Sequence, residues 1–322
     1  MTFKNVFTGG NHCCWWTGAE GEITDETPRD FDRYLNSEKY PGSPIRLNSP
    51  GGSLVGALEL GAAIRRHGLD TEVGRTSNFD KLPGVCASAC AYAFMGDVAR
   101  HLEEGAKLGV HRFYNKAAIE NYSAKQFSAG DLDATQRTFA ALVLYLLQMG
   151  VKAEVIGLTD QAGPDEMHWI SAKEAAVLQV TFDPKAWTPW MLEPYKAGLT
   201  ASSHSADGDA QATVFCSRRS GGELFLTVKS WDLGYAKQMA TCGRDGYHSV
   251  FGAKISNQDV DAVALPGGGS ALKFKLQPGV PFSDPALFNN PDSYPLACIV
   301  GFRGNQQGFA QGGRLALKNC ID

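Results

Sequence analysis

One short segment constrains the fold more than any other part of this chain. The apolar run Ile45–Asn48 predicts a β-strand, and residues 50–52, Pro-Gly-Gly, predict a turn directly after it. Apolar residues at helical spacing then predict a helix over Leu54–Arg66 that ends at Gly68, and Thr71–Gly74 predicts a second strand. A strand, a helix and a second strand in this order form a βαβ unit, so we expect a parallel sheet covered by helices.

The same α/β pattern continues on both sides of this unit. Ligands bind at the carboxyl ends of the strands in sheets of this kind, and the Pro-Gly-Gly turn lies at such an end. We expect these further elements, in chain order: a strand within 13–23, a helix from Thr27 to about Asn36, a helix over Ala87–Phe94 with Ser88 at its start, a strand over Lys107–Arg112, a helix from about Asp131 to Gly150, and a helix from Ser171.

The length predicts two domains, because 322 residues exceed what a single hydrophobic core usually supports. We expect an α/β domain over residues 1–197 and a linker over 198–212, where Ser, Ala, Gly and Asp dominate. Residues 213–322 contain short apolar segments separated by Gly, Pro, Asn and Asp. That pattern is typical of a small β-sandwich or barrel, so we expect a smaller all-β domain there.

Composition excludes several classes of partner. The net charge is -4 and no basic run or basic-aromatic face appears, so we expect no nucleic-acid partner. The longest apolar runs, such as Phe139–Leu147, are far shorter than a bilayer span, so we expect no membrane-spanning helix. Residues 12–14, His-Cys-Cys, have no second pair at ligand spacing, so we expect no metal, and nothing in the sequence calls for another cofactor.

The eight cysteines predict the compartment. An even number, with four of them in the last third of the chain, favours disulfides and an oxidising environment, whereas a reduced cytosolic protein would bury free thiols. The chain begins without a signal peptide, so the expectation of a periplasmic or secreted protein rests on the cysteines alone. Four cysteines allow three pairings, and the sequence does not choose among those of the last third, which are Cys216, Cys242, Cys298 and Cys320.

Ser88 is the candidate nucleophile, because it lies among small residues in the segment Gly84–Ala91. A serine hydroxyl attacks a carbonyl only if a base accepts its proton and fixed donors bind the negative charge that develops. The ring of His111 and the backbone of residues 51–52 could supply these functions. Cys86 and Cys90 flank Ser88 at a spacing of four, and both a disulfide that locks the turn and two free buried thiols remain open.

Three motifs follow one another along the chain: Ile45–Ser53, Ala87–Ala89 and Val110–His111. In order and spacing they resemble the proteolytic subunit of Clp protease and its superfamily, which shares the crotonase-like fold. The resemblance covers about residues 15–182 and implies an N-terminal α/β domain of stacked βαβ units. A closer resemblance, to bacterial periplasmic members of the superfamily, is carried by the Cys-Ala-Ser-Ala-Cys-Ala core at 86–91, by Leu108–His111 and by Met167–Trp169.

The resemblance implies a role for each matched residue. Ser88 corresponds to the nucleophile and His111 to the general base, while the amides of Gly52 and Ala89 correspond to the oxyanion donors, with Gly51 beside them. The implied reaction is acyl transfer, in which an acyl-enzyme forms on Ser88 and is then hydrolysed by water. For such a reaction we expect Ser88 Oγ within about 3.2 Å of a ring nitrogen of His111.

The third member of the implied triad departs from the pattern. The family's orienting aspartate stands four residues before a Ser-Ala that opens a helix, and counting back from Ser171 gives Met167. Asp165, Glu166 or Asp160 could take this role if the loop shifts, and we assign it to Asp165. A chain without an orienting carboxylate would be a slow enzyme or an inactive one.

The function expected from these residues is a serine hydrolase, and within that class a peptidase acting on peptides or unfolded chains. The resemblance also implies a homo-oligomer formed through the 131–150 helix. The alternative is a catalytically weak or inactive binding protein of the cell envelope. A crotonase-type acyl-CoA enzyme is a further alternative, but enolate chemistry needs no serine nucleophile, so Ser88 and His111 together argue against it.

Overall fold

The structure is a computed structural model, and its description covers most of the chain. The described residues are 1–7, 15–39, 41–77, 80–112, 129–163, 166–242, 246–288 and 302–321. The chain divides into two units, Met1–Asp183 and Pro184–Asp322. Within the described ranges, no helix is both long enough and apolar enough to cross a membrane.

The first unit is a mixed α/β structure, as expected. Its strands β2, β3, β4 and β8 form a parallel sheet with β1 antiparallel at one edge, in the order β1-β2-β3-β4-β8. A second sheet has the order β10-β9-β7, with β7 and β9 parallel. The elements are β1 (Thr2–Phe7), β2 (Trp15–Glu20), α1 (Thr27–Ser37), β3 (Ile45–Asn48), α2 (Leu54–Arg66), β4 (Thr71–Val73), β5 (Arg75–Ser77), β6 (Asp80–Leu82), β7 (Val85–Ala87), α3 (Ala89–Phe94), β8 (Arg100–Leu102), β9 (Lys107–Val110), α4 (Ala129–Gln148), α5 (Val155–Thr159), β10 (His168–Trp169) and α6 (Ala172–Val177).

Local signals explain where the helices of this unit begin. Ser53 caps α2, because its hydroxyl accepts a hydrogen bond from the Gly56 amide at 3.0 Å. Ser171 and Glu174 form the expected capping box at the start of α6, with each side chain accepting from the other residue's backbone amide. Both predicted helix starts are therefore confirmed.

Close helix packing fixes the position of α3. Gly61 of α2 touches Gly96 just beyond α3, since a Cβ added at Gly96 would lie 2.3 Å from the Cα of Gly61. The hydroxyl of Tyr145 on α4 donates to the carbonyl oxygen of Tyr92 on α3 at 2.7 Å. Helix α3 is thus held between α2 and α4, and with it the residue that precedes it, Ser88.

The second unit is built on one antiparallel sheet of six strands, in the order β11-β12-β13-β14-β18-β17. A disulfide joins Cys216 to Cys320, and Cys242 is also disulfide-bonded. The elements are β11 (Met191–Tyr195), β12 (Gly198–His204), β13 (Ala210–Ser217), β14 (Gly221–Val228), α7 (Leu233–Thr241), β15 (Tyr247–Val250), β16 (Ala253–Ser256), a 3-10 turn (Asn257–Asp259), β17 (Val260–Ala264), β18 (Ser270–Leu276), β19 (Ala286–Phe288), β20 (Phe302–Arg303) and α8 (Phe309–Lys318).

Two expectations for this part of the chain were wrong. The predicted linker over 198–212 is strand β12 and the start of β13, because its small residues are buried: Ala201 lies 3.4 Å from the position of a Cβ on Gly312 of α8. The boundary between the units falls at 183/184, before this segment. The unit is also not all-β, since α7 and α8 complete its core.

Candidate active site

Ser88 occupies a sharp turn between strand β7 and helix α3. Its backbone has φ 57° and ψ -125°, a conformation that residues with a side chain rarely adopt. The Ser88 amide donates to the carbonyl oxygen of Gly109 at 2.9 Å, and the Ser88 carbonyl accepts from the Ala91 amide at 3.0 Å. Conformations of this kind cost about 1–3 kcal/mol and persist where neighbouring contacts hold them, commonly at functional sites. A serine on a strained turn from strand to helix is the arrangement that presents a nucleophilic hydroxyl.

A disulfide spans this turn. The sulfurs of Cys86, on β7, and Cys90, on α3, are bonded, with the two Cα atoms 5.2 Å apart. Both cysteines are fully buried. Of the two alternatives that the sequence left open, the structure therefore has the disulfide and not the free thiols.

The turn after strand β3 lies directly against Ser88. Gly51 and Gly52 both have positive φ, 105° and 132°. A Cβ added at Gly51 would lie 2.8 Å from the Cβ of Ser88, and one at Gly52 would lie 2.1 Å from the carbonyl oxygen of Ile23. Only glycine fits either position, since the backbone conformation and the available space both exclude a side chain.

The backbone amides of the expected oxyanion site, Gly52 and Ala89, differ from the neighbouring amide of Gly51 in their contacts. The amide of Gly51 donates to the hydroxyl of Ser49 at 3.1 Å. Within the described ranges, the amides of Gly52 and Ala89 donate no hydrogen bond. Gly52 and Ala89 therefore retain donors for a ligand, whereas Gly51 contributes the space next to Ser88.

His111 follows strand β9, which runs parallel to β7 with Gly109 paired to Ala87, so Ser88 and His111 lie at the same end of neighbouring strands. The ring nitrogen Nδ1 of His111 is 2.7 Å from the carbonyl oxygen of Arg112. This contact requires a proton on Nδ1, and the neutral ring then carries its lone pair on Nε2. Among the described residues no hydrogen bond joins Ser88 Oγ to His111, so the expected contact is not made.

Met167 immediately precedes strand β10. Strand β10 pairs antiparallel with β9, with His168 opposite Val110, and the same register places Met167 opposite His111. A Cβ added at Gly109 would lie 2.6 Å from Cγ of Met167. Gly109 and His111 share one face of β9, so the thioether side chain covers the strand on the face to which His111 belongs.

The carboxylates considered as substitutes have other described partners. Glu166 accepts a hydrogen bond from the Gly163 amide at 3.1 Å, and Asp160 lies 3.9 Å from the guanidinium of Arg112. Neither is hydrogen-bonded to His111 among the residues that the structure describes. Asp165 lies outside the described residues.

A buried charged cluster that the sequence did not indicate anchors the segment leading into β7. Arg46 on β3 is fully buried and pairs with Glu72 at 2.7 Å and Glu103 at 3.0 Å, while Lys81 pairs with Glu72 at 3.1 Å. Arg46 also donates to the carbonyl oxygen of Leu82, at the end of the β5–β6 hairpin, at 3.0 Å. Burial raises the pKa of Glu72. Hydrogen bonds with Glu72 and with Arg46 lower the pKa of Glu103 to about 2.

Comparison with known proteins gives partial similarities. No protein-family model matches the sequence, and no curated protein matches it. Among solved structures, the membrane-bound stomatin-specific protease 1510-N is similar at 18% identity and a TM-score of 0.36, over 51% of this chain and 75% of its own. ClpP1 from Listeria monocytogenes is similar at 19% identity and a TM-score of 0.31, over 51% of this chain and 86% of its own.

Proposed function

We propose that this protein is a serine hydrolase, and within that class a peptidase with a Clp-protease-like N-terminal domain. Ser88 is the nucleophile and His111 the general base. The observation that carries the proposal is the backbone of Ser88, held at φ 57° on a strand-to-helix turn with Gly51 packed against its side chain. A serine that only caps a helix needs neither feature, because ordinary caps have extended backbone.

The proposed reaction is acyl transfer to Ser88. His111 Nε2 accepts the hydroxyl proton as Ser88 Oγ attacks the substrate carbonyl carbon, and the amides of Gly52 and Ala89 bind the resulting oxyanion. The protonated His111 then gives its proton to the leaving amine, which leaves an acyl-enzyme. Water, deprotonated by the same ring, hydrolyses the ester and releases Ser88. The hydrogen bond between Ser88 and His111 forms when substrate binds, since catalytic contacts are often long in free enzymes.

The backbone contributes to the orientation of His111. The Arg112 carbonyl accepts a hydrogen bond from Nδ1, with nitrogen and oxygen 2.7 Å apart, and a carboxylate makes the corresponding contact in the family that the sequence resembles. Asp165 stays a prediction for the third member of the triad. A neutral carbonyl stabilises the protonated ring less than a carboxylate does, so we infer a slow hydrolase.

The proposed substrates are peptides or unfolded chains, and the proposed assembly is a homo-oligomer. Helix α4 carries exposed apolar side chains at Leu144 and Leu147, on the side opposite the face that contributes Leu142 and Leu146 to the core, and further exposed apolar side chains at Leu132 and Phe139. Exposed apolar side chains concentrated on one helix favour a protein interface. The proposed compartment is oxidising, either the periplasm or the cell exterior, because the disulfides at Cys86 and Cys216 persist there.

A second candidate function is an inactive binding protein of the cell envelope. The observation that favours it is Met167, an apolar side chain opposite His111 where the family places an aspartate. In that case the glycine turn and the adjacent segment at Ser88 bind a ligand without acylation.

A fluorophosphonate probe distinguishes the two functions. We expect the oxidised protein to be labelled at Ser88, with no labelling of Ser88→Ala and a loss of about 10³-fold or more in rate for His111→Ala. His67→Ala is the matched control, since His67 is a half-exposed ring at the end of α2 that pairs with Asp32, and it should be labelled like the wild type. A folded, oxidised wild type that the probe does not label would establish the binding protein instead.

A further inference from the structure

The turn at Ser88 needs restraint from its surroundings. Its φ of 57° and ψ of -125° lie outside the regions that L-residues prefer, so an unrestrained chain would relax to negative φ. Relaxation would rotate the peptide that joins Ser88 to Ala89. The Ser88 hydroxyl and the Ala89 amide would then both leave the positions that the proposed reaction requires.

Noncovalent contacts restrain both sides of this turn, and on the helix side they hold α3 between α2 and α4. On the strand side, the Ala87 amide donates to the Ser49 carbonyl at 3.0 Å, and the Ser88 amide donates to the Gly109 carbonyl at 2.9 Å. Helix α3, on the other side, has only six residues, and a helix this short has little stability of its own.

The disulfide connects these two sides. Cys86 lies in β7, where it is paired with Ser49 beside the glycine turn, and Cys90 lies in the first turn of α3. The bond therefore closes a covalent ring whose middle member is Ser88. Both cysteines are fully buried in the core, so a substrate cannot touch them and any effect on the reaction must pass through the turn.

We propose that the Cys86–Cys90 disulfide is a positioning element for Ser88, which holds the strand-to-helix turn in its strained conformation. This proposal rests on the proposed hydrolase function as far as turnover is concerned, whereas the restraint on the turn can be measured without any reaction. The disulfide acts on the geometry of attack and not on substrate binding. Removal of the disulfide therefore lowers kcat and leaves KM unchanged.

The test compares two double variants of the full chain. Cys86→Ala/Cys90→Ala removes the disulfide at Ser88, and Cys216→Ala/Cys320→Ala removes the one in the second unit. Turnover is measured with p-nitrophenyl acetate, and hydrogen exchange is measured at the Ser88 amide. We expect the first variant to lose about 10- to 100-fold in kcat with KM within about twofold, because a displacement of about 1 Å has an effect of this size.

Hydrogen exchange gives the second readout. The Ser88 amide should exchange at least about tenfold faster in the first variant, because the turn opens more often when its two sides are no longer bonded. The control variant should match the wild type in kcat and at Ser88. A folded first variant with wild-type exchange at Ser88 overturns the proposal, whether or not its turnover has changed.

Two further outcomes need their own experiments or readings: a variant that does not fold, and a wild type that shows no turnover. If Cys86→Ala/Cys90→Ala does not fold, Cys86→Ala/Cys90→Val refills the buried space without a sulfur bridge and takes its place in both measurements. If wild-type protein shows no turnover at all, the hydrolase proposal fails. Faster exchange at Ser88 in the variant would still support the positioning role, and unchanged exchange would overturn it.

Discussion

Gly51 and Ser88 touch across the ends of two neighbouring strands. The turn that contains Gly51 follows β3, and Ser88 follows β7, with Ser49 bridging the two segments at Cys86. A Cβ at position 51 would lie 2.8 Å from Cβ of Ser88 and equally close to the Ala87 carbonyl oxygen. The glycine turn therefore forms one wall of the site. The space beside Ser88 exists because Gly51 has no side chain.

Gly51→Ala should therefore damage both the site and the fold. The added methyl meets Ser88 at 2.8 Å on a backbone with φ 105°, so we expect a loss of about 100-fold in kcat/KM and of about 1–3 kcal/mol in the free energy of unfolding. Ester hydrolysis and urea unfolding measure these changes. Gly68→Ala is the control, because Gly68 has φ 62° but open space around it. It should lose about 1–2 kcal/mol from its backbone conformation and keep full activity.

Ser88→Gly should be more stable than Ser88→Ala. Neither variant has a hydroxyl, but only glycine adopts φ 57° without strain, so we expect a difference of about 1 kcal/mol in the free energy of unfolding. Urea unfolding of both variants under oxidising conditions measures it. Equal stabilities would mean that the turn carries no strain in solution.

Met167→Asp should increase turnover. The register of β10 places a carboxylate at this position opposite His111, where it would stabilise the protonated ring, so we expect kcat to rise by about tenfold or more. Asp165→Asn is the companion variant. A change in kcat of less than about tenfold would assign the orientation of the ring to the Arg112 carbonyl alone, whereas an orienting carboxylate would be worth about 10⁴-fold. A loss of that size would assign the role to Asp165.

Substitutions on the exposed face of α4 should dissociate the oligomer. Leu144 and Leu147 are exposed, so Leu144→Asp/Leu147→Asp places charges in the proposed interface without disturbing the core. We expect sedimentation velocity to show an oligomer for the wild type and a monomer for this variant. Val177→Asp, at an equally exposed position on α6, should remain oligomeric. A monomeric wild type would contradict the assembly.

The second unit should become less stable in mild acid because of His248. Its ring is buried and bonded to the Ala240 carbonyl at 2.8 Å, and burial lowers the pKa of His248 below its ordinary value of 6.5. The unfolded chain binds this proton at a higher pH than the folded chain does. Stability is therefore complete above about pH 6.5 and falls as the pH decreases toward the folded pKa.

Urea unfolding between about pH 7.5 and 5.5 measures this dependence. His248→Gln is the control, since its side-chain amide can still donate to Ala240 but does not titrate. Its stability should change less over the same range. An identical pH dependence in both proteins would rule out His248 as the source.

Much of the first unit could be predicted from local signals. Strand β3 and helix α2 have the expected bounds, because a Ser cap, two terminal arginines and Gly68 specify the helix without help from distant residues. The β5–β6 hairpin could not be predicted in this way. It is held by Arg46, which donates to the Leu82 carbonyl from a distant strand, and by the ion pair between Lys81 and Glu72.

Helix α8 was missed because its interior contains Gly312 and Gly313, which disfavour a helix in isolation. Both serve packing. A Cβ at Gly313 would lie 2.3 Å from a ring carbon of Phe282, so the helix needs glycine there to approach its neighbours. Tertiary contact outweighs local preference at these positions.

The site likewise contains features that the sequence predicts and features that only the folded structure reveals. The order of the motifs predicts the glycine turn beside Ser88, and the count from Ser171 gives Met167, which the register of β10 places opposite His111. The disulfide was undecided because two cysteines in one helix would have Cβ atoms too far apart, about 5–6 Å. Cys86 lies instead in a strand, with Cα 5.2 Å from that of Cys90. The Arg112 carbonyl gives no signal at all, since every residue has one.

The Cys216–Cys320 bond turns most of the second unit into a covalent loop of 104 residues. Ile321 reinforces the closure, because its amide donates to the Cys216 carbonyl at 2.7 Å. A pulling force applied at the C-terminus is therefore transmitted to strand β13, which is hydrogen-bonded on both edges, and not to helix α8. Mechanical unfolding from this end must shear interior strands of the sheet. An unfoldase that pulls on the C-terminus therefore meets high mechanical resistance.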